Sequence, residues 1–276
     1  LSRSLVKIAA ALAVVGGLGY GAYLKRDSIM SFATAMVGSG SKSGDPALPA
    51  FVVPQGPADS IDKGLQRTEL WGLLKREFPD WYNERVTEAA KLVAEKKSEA
   101  ALTKHVVEAL VALRRKHAND ALAAPAPRLI GIANAFLGNL KSISQVSTST
   151  CYSFISQGEA STAVIDMLQK PAAHAGLQSQ VAAIFEAVAA GRKTPVKHAA
   201  PEKADYDLLA DQLTKLGWSQ ADLQLFADPR ALARTSHDRV CKMVQDWFSA
   251  HLAVSDRAAQ ERLLIETLRP DRKSVV

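Results

Sequence analysis

Cysteine is scarce in this chain: two of 276 residues, Cys151 and Cys241. So low a count excludes a disulfide-rich scaffold, and the lack of any CxxC pair leaves a thioredoxin-like redox site without support. Motifs for phosphate binding and nucleophilic chemistry are missing as well. There is no GxxxxGK[ST], no GxGxxG, no GxSxG, no HExxH and no H-x3-H, so nucleotide hydrolysis, Rossmann cofactor use and serine-hydrolase chemistry have no basis in the sequence, and no cofactor is expected. No stretch of alternating β-branched residues persists, which argues against strands, and no repeat of fixed period supports a solenoid. Charge of one sign does not dominate either. The 34 basic and 28 acidic residues leave a net charge of +6, and nearly every basic run has carboxylates nearby, unlike the clustered basic face of a nucleic-acid domain.

What is present is an ordinary globular balance, 47% hydrophobic and 22% charged, which excludes wholesale disorder and collagen-like structure. After Ile61 the chain is dominated by Ala, Leu, Lys, Glu, Gln and Arg, the strong helix formers. The expected fold class is all-α: an irregular multi-helix bundle or helical array of about eight to ten helices following an N-terminal transmembrane or signal helix. The Ala-rich composition also has a bacterial look.

The N-terminal helix rests on Ile8 to Leu24, seventeen consecutive residues without a charge, flanked by Arg3 and Lys7 before and Lys25 and Arg26 after. As a helix this run covers roughly 25 Å, the short end of a bilayer span and longer than a usual signal-peptide core. An uncleaved signal anchor is favoured, because bulky and charged residues stand where a small-x-small cleavage site would lie; cleavage near Ala33 to Gly38 and a buried soluble helix are the alternatives. Ala9, Ala13, Gly17 and Gly21 recur every four residues and share one helix face. Small residues at this spacing let two membrane helices pack closely and the chain self-associate, although an Ala- and Gly-rich run also produces such spacing by chance.

The organisation that follows is residues 1–27 as anchor, 28–60 as a Gly/Pro/Ser-rich linker, 61–190 as the first helical part, 191–202 as a basic loop broken by two prolines, and 203–276 as a C-terminal helical part packed on the first. Within it, a first helix is expected from Ile61 to Glu77, with Pro79 opening a second. A third carries Leu102, Val106, Leu110, Leu113 and His117. The fourth begins near Arg128 and frays or bends in the Ser/Thr run from Ser142 to Thr150, and a short helix is expected at 160–169. Ser219 with Asp222 three residues on, and Asp228 followed by Pro229, read as helix starts.

Cys241 shares a helix stripe with Val244, Phe248 and Leu252, and Cys151 has Phe154 and Ile155 one turn on. An even number of cysteines behind an export-like N-terminus suggests one disulfide, Cys151 to Cys241, with two inert thiols or a reactive thiol as the other readings. His237 and Cys241, four apart, form a weak metal-ligand pair; a zinc site would need at least one further ligand from the fold, and no metal is assigned on this basis.

Ser142 to Thr162 carries ten Ser or Thr residues and a single charge, Glu159. It is read either as an irregular link whose hydroxyls cap helix ends, or as a polar binding surface built on Ser149, Thr150, Tyr152, Ser153 and Gln157. Trp71, Phe78, Trp81 and Tyr82 cluster, and core packing explains them best; a sugar-stacking surface on Trp71 and Trp81 would require exposed rings. The run Arg114, Arg115, Lys116 is either the dipole-complementing end of a helix or a contact for a phosphate or acidic partner.

Together these features favour an anchored, exported envelope protein with a periplasmic helical domain that binds or scaffolds an unidentified protein partner, or the same domain cleaved and soluble in the periplasm. Two other readings stay open. One is an envelope enzyme with its site near Ser142 to Thr162 and Cys151. The other is a cytosol-facing binder of nucleic acid or an acidic partner, using Arg114, Arg115, Lys116, Arg192, Lys193 and Lys197; the dispersed charge disfavours nucleic acid.

Overall fold

The computed structural model describes residues 57–97, 99–159, 161, 163 and 171–269. The expected anchor, its small-residue face and most of the linker lie outside these residues, as does nearly all of the short helix expected at 160–169. All regular elements among the described residues are helical. They are α1 (Pro57–Leu65), α2 (Glu69–Glu77), α3 (Pro79–Ala94), α4 (Glu99–Lys116), α5 (Ala118–Leu122), α6 (Ala126–Val146), α7 (Thr148–Gln157), α8 (Pro171–Lys193), α9 (Lys203–Lys215), α10 (Gln220–Ala227), α11 (Pro229–Leu232), α12 (His237–Ala253) and α13 (Arg257–Leu268). No described helix is long and apolar enough to cross a membrane.

Local chemistry explains several boundaries. Ser219 accepts from the Asp222 amide while Asp222 accepts from the Ser219 amide, a reciprocal cap that starts α10. Asp228 accepts from the amides of Arg230 and Ala231, with Pro229 as the first residue of α11, and Asp256 does the same for α13. At the end of α9, Gly217 takes φ of 89°. This lets the Trp218 amide reach the Leu213 carbonyl and the Gly217 amide reach Thr214, closing the helix in a Schellman motif.

The helices outnumber the expectation because several expected elements are split. The predicted helix from Ile61 becomes α1 and α2. It starts earlier, at Pro57, so the last residues assigned to the linker are helical; proline suits a first helical turn and Asp59 follows it there. Between α1 and α2 the Gln66 side chain donates to the Tyr82 hydroxyl at 2.8 Å, and the Thr68 hydroxyl donates to the Leu65 carbonyl. The expected third helix, which carries His117 and stops at the prolines 125 and 127, becomes α4 and α5, with His117 at the N-cap position of α5.

The buried apolar residues form two clusters. One gathers Leu70, Trp71, Leu74, Phe78 and Tyr82 of the first helices with Leu113, Leu129, Ile132 and Phe185. The other gathers Leu137, Leu140, Ile143, Cys151 and Phe154 with Leu209, Phe226, Val244, Trp247 and Leu264. Helix α6 runs through both, giving Leu129 and Ile132 to the first and Ala133 to Ile143 to the second. The hydrophobic partition therefore falls inside α6, whose neighbours are α7, α8, α12 and α13. Gly191 to Lys193, assigned to the basic loop from sequence, are the last residues of α8, and the connection to α9 is residues 194–202. Its Val196 amide donates to the Ala123 carbonyl at 2.8 Å, and His198 lies within hydrogen-bond distance of the Ala124 carbonyl and of Glu261.

Candidate functional site

Helix α12 presents His237, Cys241 and Gln245 at four-residue spacing, so all three face the same way, toward α7 and the end of α6. Each meets a partner on α7 or at the end of α6. The His237 ring lies parallel to Tyr152, centroids 4.1 Å apart and planes 9° apart. Cys241 is bridged to Cys151, with Cα atoms 6.0 Å apart. Gln245 donates from Nε2 to the Ser144 hydroxyl at 3.1 Å. One turn further, Phe248 packs on Phe136 at 4.6 Å, and Phe136 in turn contacts Phe154. The seam is thus aromatic at its exposed end, where His237 faces solvent. It is covalent in the middle, where Cys151 and Cys241 are buried. The bridge corrects the His237/Cys241 metal pair: the Cys241 sulfur is committed to Cys151 and offers no thiolate to a metal. No group of three or more His, Cys, Asp or Glu side chains that could hold a metal occurs among the described residues.

The Ser/Thr stretch that reads as an irregular link is helix α7. Ser147 makes the break after α6 and caps α7 by accepting from the Thr150 amide at 3.1 Å. The register follows from its apolar residues: Cys151, Phe154 and Ile155, at helical spacing, turn inward. Ser149, Tyr152, Ser153, Ser156 and Gln157, offset by three, four, seven and eight, are left on the outer face. Four of the five residues proposed from sequence share this face, which is polar, uncharged and carries one aromatic ring. Thr150 does not belong to it; it is buried beside Cys151.

At its C-terminal end α7 stops on Gly158, with φ 78° and ψ −168°, a region closed to residues with a Cβ. This turns Glu159 toward the end of α4. There Arg114 grips it with both guanidinium nitrogens, Nη1 on one carboxylate oxygen and Nη2 on the other at 3.2 Å. The side chains are 20% and 15% exposed. Burial pushes the Glu159 carboxyl up, but attraction to Arg114, its hydrogen bonds and the nearby Arg115 outweigh this and hold it below the ordinary glutamate value. The Arg114 guanidinium is raised in turn by the charge of Glu159.

The basic surface expected from sequence is therefore largely engaged within the molecule. Arg114 holds Glu159, Arg192 stacks over Phe78 at 5.0 Å, and Lys193 pairs with Glu77 at 3.1 Å. Lys116 is exposed at the end of α4.

The Trp71/Trp81 surface is corrected too. Trp71 is 1% exposed and packs parallel to Trp81 with centroids 6.4 Å apart, so its ring is core and presents no face to a sugar. Beneath it lies a network that no sequence spacing signals. Lys75 donates to both Asp62 oxygens at 2.8 and 2.9 Å, and the Tyr82 hydroxyl donates to Asp62 at 2.8 Å. The Lys75 hydrogen bond holds the Asp62 carboxyl below its ordinary value, while burial and the Asp62 charge push the Tyr82 phenol up. A second buried pair, Asn139 donating to Gln180 at 2.8 Å, joins α6 to α8. No family model, no curated protein and no solved structure matches this chain.

Proposed function

We propose that this chain is an exported helical module, anchored in the inner membrane by residues 1–27 with its folded part in the periplasm, and that it binds a protein partner rather than performing chemistry. The observation that carries the reading is the Cys151–Cys241 pair, buried and at bridging distance. Disulfides persist in oxidising compartments and are rare in the reducing cytosol, so the bridge and the uncharged run at Ile8 to Leu24 support the same location from independent properties. The Gly/Pro-rich residues 38–56 would hold the folded part off the membrane surface.

Partner engagement is assigned to the outer face of α7. Interface cores favour uncharged surfaces with tyrosine, and Ser149, Tyr152, Ser153 and Gln157 supply such a face on a rigid helix pinned from behind by the disulfide. Association of two copies through Ala9, Ala13, Gly17 and Gly21 would double the number of faces presented.

The test is the intact mass of the protein taken from its native cells, alkylated under denaturing conditions with and without prior reduction. Both thiols blocked until reduction, with no partner mass added, is the expected result. Two free thiols on an uncleaved chain would remove the export reading.

A further inference from the structure

We propose that the C-terminal end of α4 is a carboxylate-binding site for an acidic segment of a partner protein, and that Glu159 fills it as an internal stand-in until the partner displaces it. This deepens the partner-binding reading above and rests on it for its biological setting, though not for its chemistry.

The site has three parts. First, Arg114, Arg115 and Lys116 end α4 together, so three cations share the last turn where the helix carbonyls already favour positive charge. Second, Arg114 meets a carboxylate in the two-pronged geometry by which a guanidinium recognises an acid. Third, that carboxylate arrives from 45 residues away, and it is the single charge in the 21 residues from Ser142 to Thr162. A stretch otherwise without charge delivers one acid to one arginine, across a glycine in a backbone conformation that only glycine takes readily.

Exchange of one carboxylate for another conserves the bonds. The intruding acid takes over the two guanidinium hydrogen bonds and Glu159 passes to water, which its partial exposure allows. What opposes exchange is proximity. A carboxylate on the same chain acts at an effective concentration on the order of millimolar or more, so a lone free acid does not compete. A segment with several acids does, because the exposed Lys116 adds a second cation beside Arg114. Release of Glu159 frees the last turn of α7, where the Gly158 amide bonds the Phe154 carbonyl at 2.9 Å. The acid site and the α7 docking face are thereby coupled.

The experiment uses the full chain and a fluorescein-labelled hexaglutamate peptide, read by anisotropy. Glu159→Gln removes the competing carboxylate and should bind the peptide at least about tenfold tighter than wild type, and Arg114→Gln added to it should abolish the gain. Equal binding by wild type and a folded Glu159→Gln variant overturns the proposal, and so does a gain that survives loss of Arg114. Should Glu159→Gln fail to fold, wild-type hydrogen exchange decides. Saturating peptide should speed exchange of the Phe154 to Gly158 amides, and an unchanged pattern overturns the proposal. Inorganic pyrophosphate acting where the peptide does not would also overturn it, by pointing to a phosphate site. Thiol state is not involved in any arm, so failure here leaves the export reading standing, and free thiols leave this site standing.

Discussion

Tyr152 and His237 stack in parallel, 4.1 Å apart, and each stands beside one half of the disulfide: Tyr152 follows Cys151, and His237 precedes Cys241 by one turn. The stack, with Tyr152 half-buried and His237 exposed, therefore closes the solvent end of the seam whose buried middle is the bridge.

Two effects of unequal size follow for that seam. Replacing both cysteines by alanine opens a loop of 90 residues, which in the chain-entropy model costs about 4.6 kcal/mol. Tyr152→Ala removes only a ring contact, about 1 kcal/mol, but should speed reduction of the native disulfide by a dithiol. Urea unfolding gives the stabilities and timed alkylation gives the rate. Reduction at the wild-type rate in Tyr152→Ala would show that the stack does not guard the bridge.

Glycine positions separate close packing from open surface. A Cβ on Gly191 would come 1.8 Å from the Asp120 carbonyl oxygen, a backbone atom of α5 that cannot swing away. Gly191→Ala must push α8 off α5 and should cost at least about 2 kcal/mol. In α6, nothing lies within 4 Å of a Cβ on Gly131 or Gly138. Alanine there should stabilise by about 0.5 to 1 kcal/mol through helix propensity and a less free unfolded chain. Thermal unfolding of the three variants checks the ordering, and a Gly191→Ala variant as stable as wild type would contradict the close approach.

The sequence carries the helix-forming information in local, short-range form, and it is read correctly where that suffices. The Ser219/Asp222 and Asp228/Pro229 starts are realised, as is the inward stripe of Cys241, Val244 and Phe248. Helix α7 was hidden because Ser and Thr bond to nearby backbone and score poorly as helix formers. Its helicity comes from three buried apolar residues, Cys151, Phe154 and Ile155, and a serine cap, that is, from packing. The fully non-local contacts were not readable at all. Nothing in spacing links Arg114 to Glu159 or Asp62 to Lys75 and Tyr82, and the basic run at the end of α4 looks the same whether its acid comes from within or from outside.

Asn139 and Gln180 test what a buried polar pair contributes between α6 and α8. Both are nearly fully buried, at 1% and 4% exposure. Asn139→Ala leaves the Gln180 amide without its donor and should cost about 1 to 3 kcal/mol, whereas replacing both by leucine should restore much of that loss. The pair then serves helix register more than stability. A double variant as unstable as the sum of the two single variants, measured by urea unfolding, would refute this account.

Acid should destabilise the fold in two separate steps, the first of them from His251. This imidazole is 1% exposed. Nδ1 donates to the Trp247 carbonyl and Nε2 accepts from the Thr267 hydroxyl, both at 2.8 Å, an arrangement satisfied by the neutral ring. Burial, only partly offset by the Trp247 hydrogen bond, lowers its pKa from 6.5 to about 4. As pH falls below 6.5 the unfolded chain takes up this proton first, so native stability present above pH 6.5 drains away down to about pH 4. The full loss is about 3 kcal/mol. The depressed carboxyls act lower: Asp222, held to about 2 by Ser219 and Arg239, and Asp205, held down by Arg262, contribute fully until the pH nears 3.8, the ordinary aspartate value. Their contribution is then lost as the pH falls further. Urea unfolding from neutral pH to about pH 4.5 should therefore show a steady decline in wild type that His251→Gln flattens. A wild-type profile already flat across that range would mean that His251 is protonated in the folded protein.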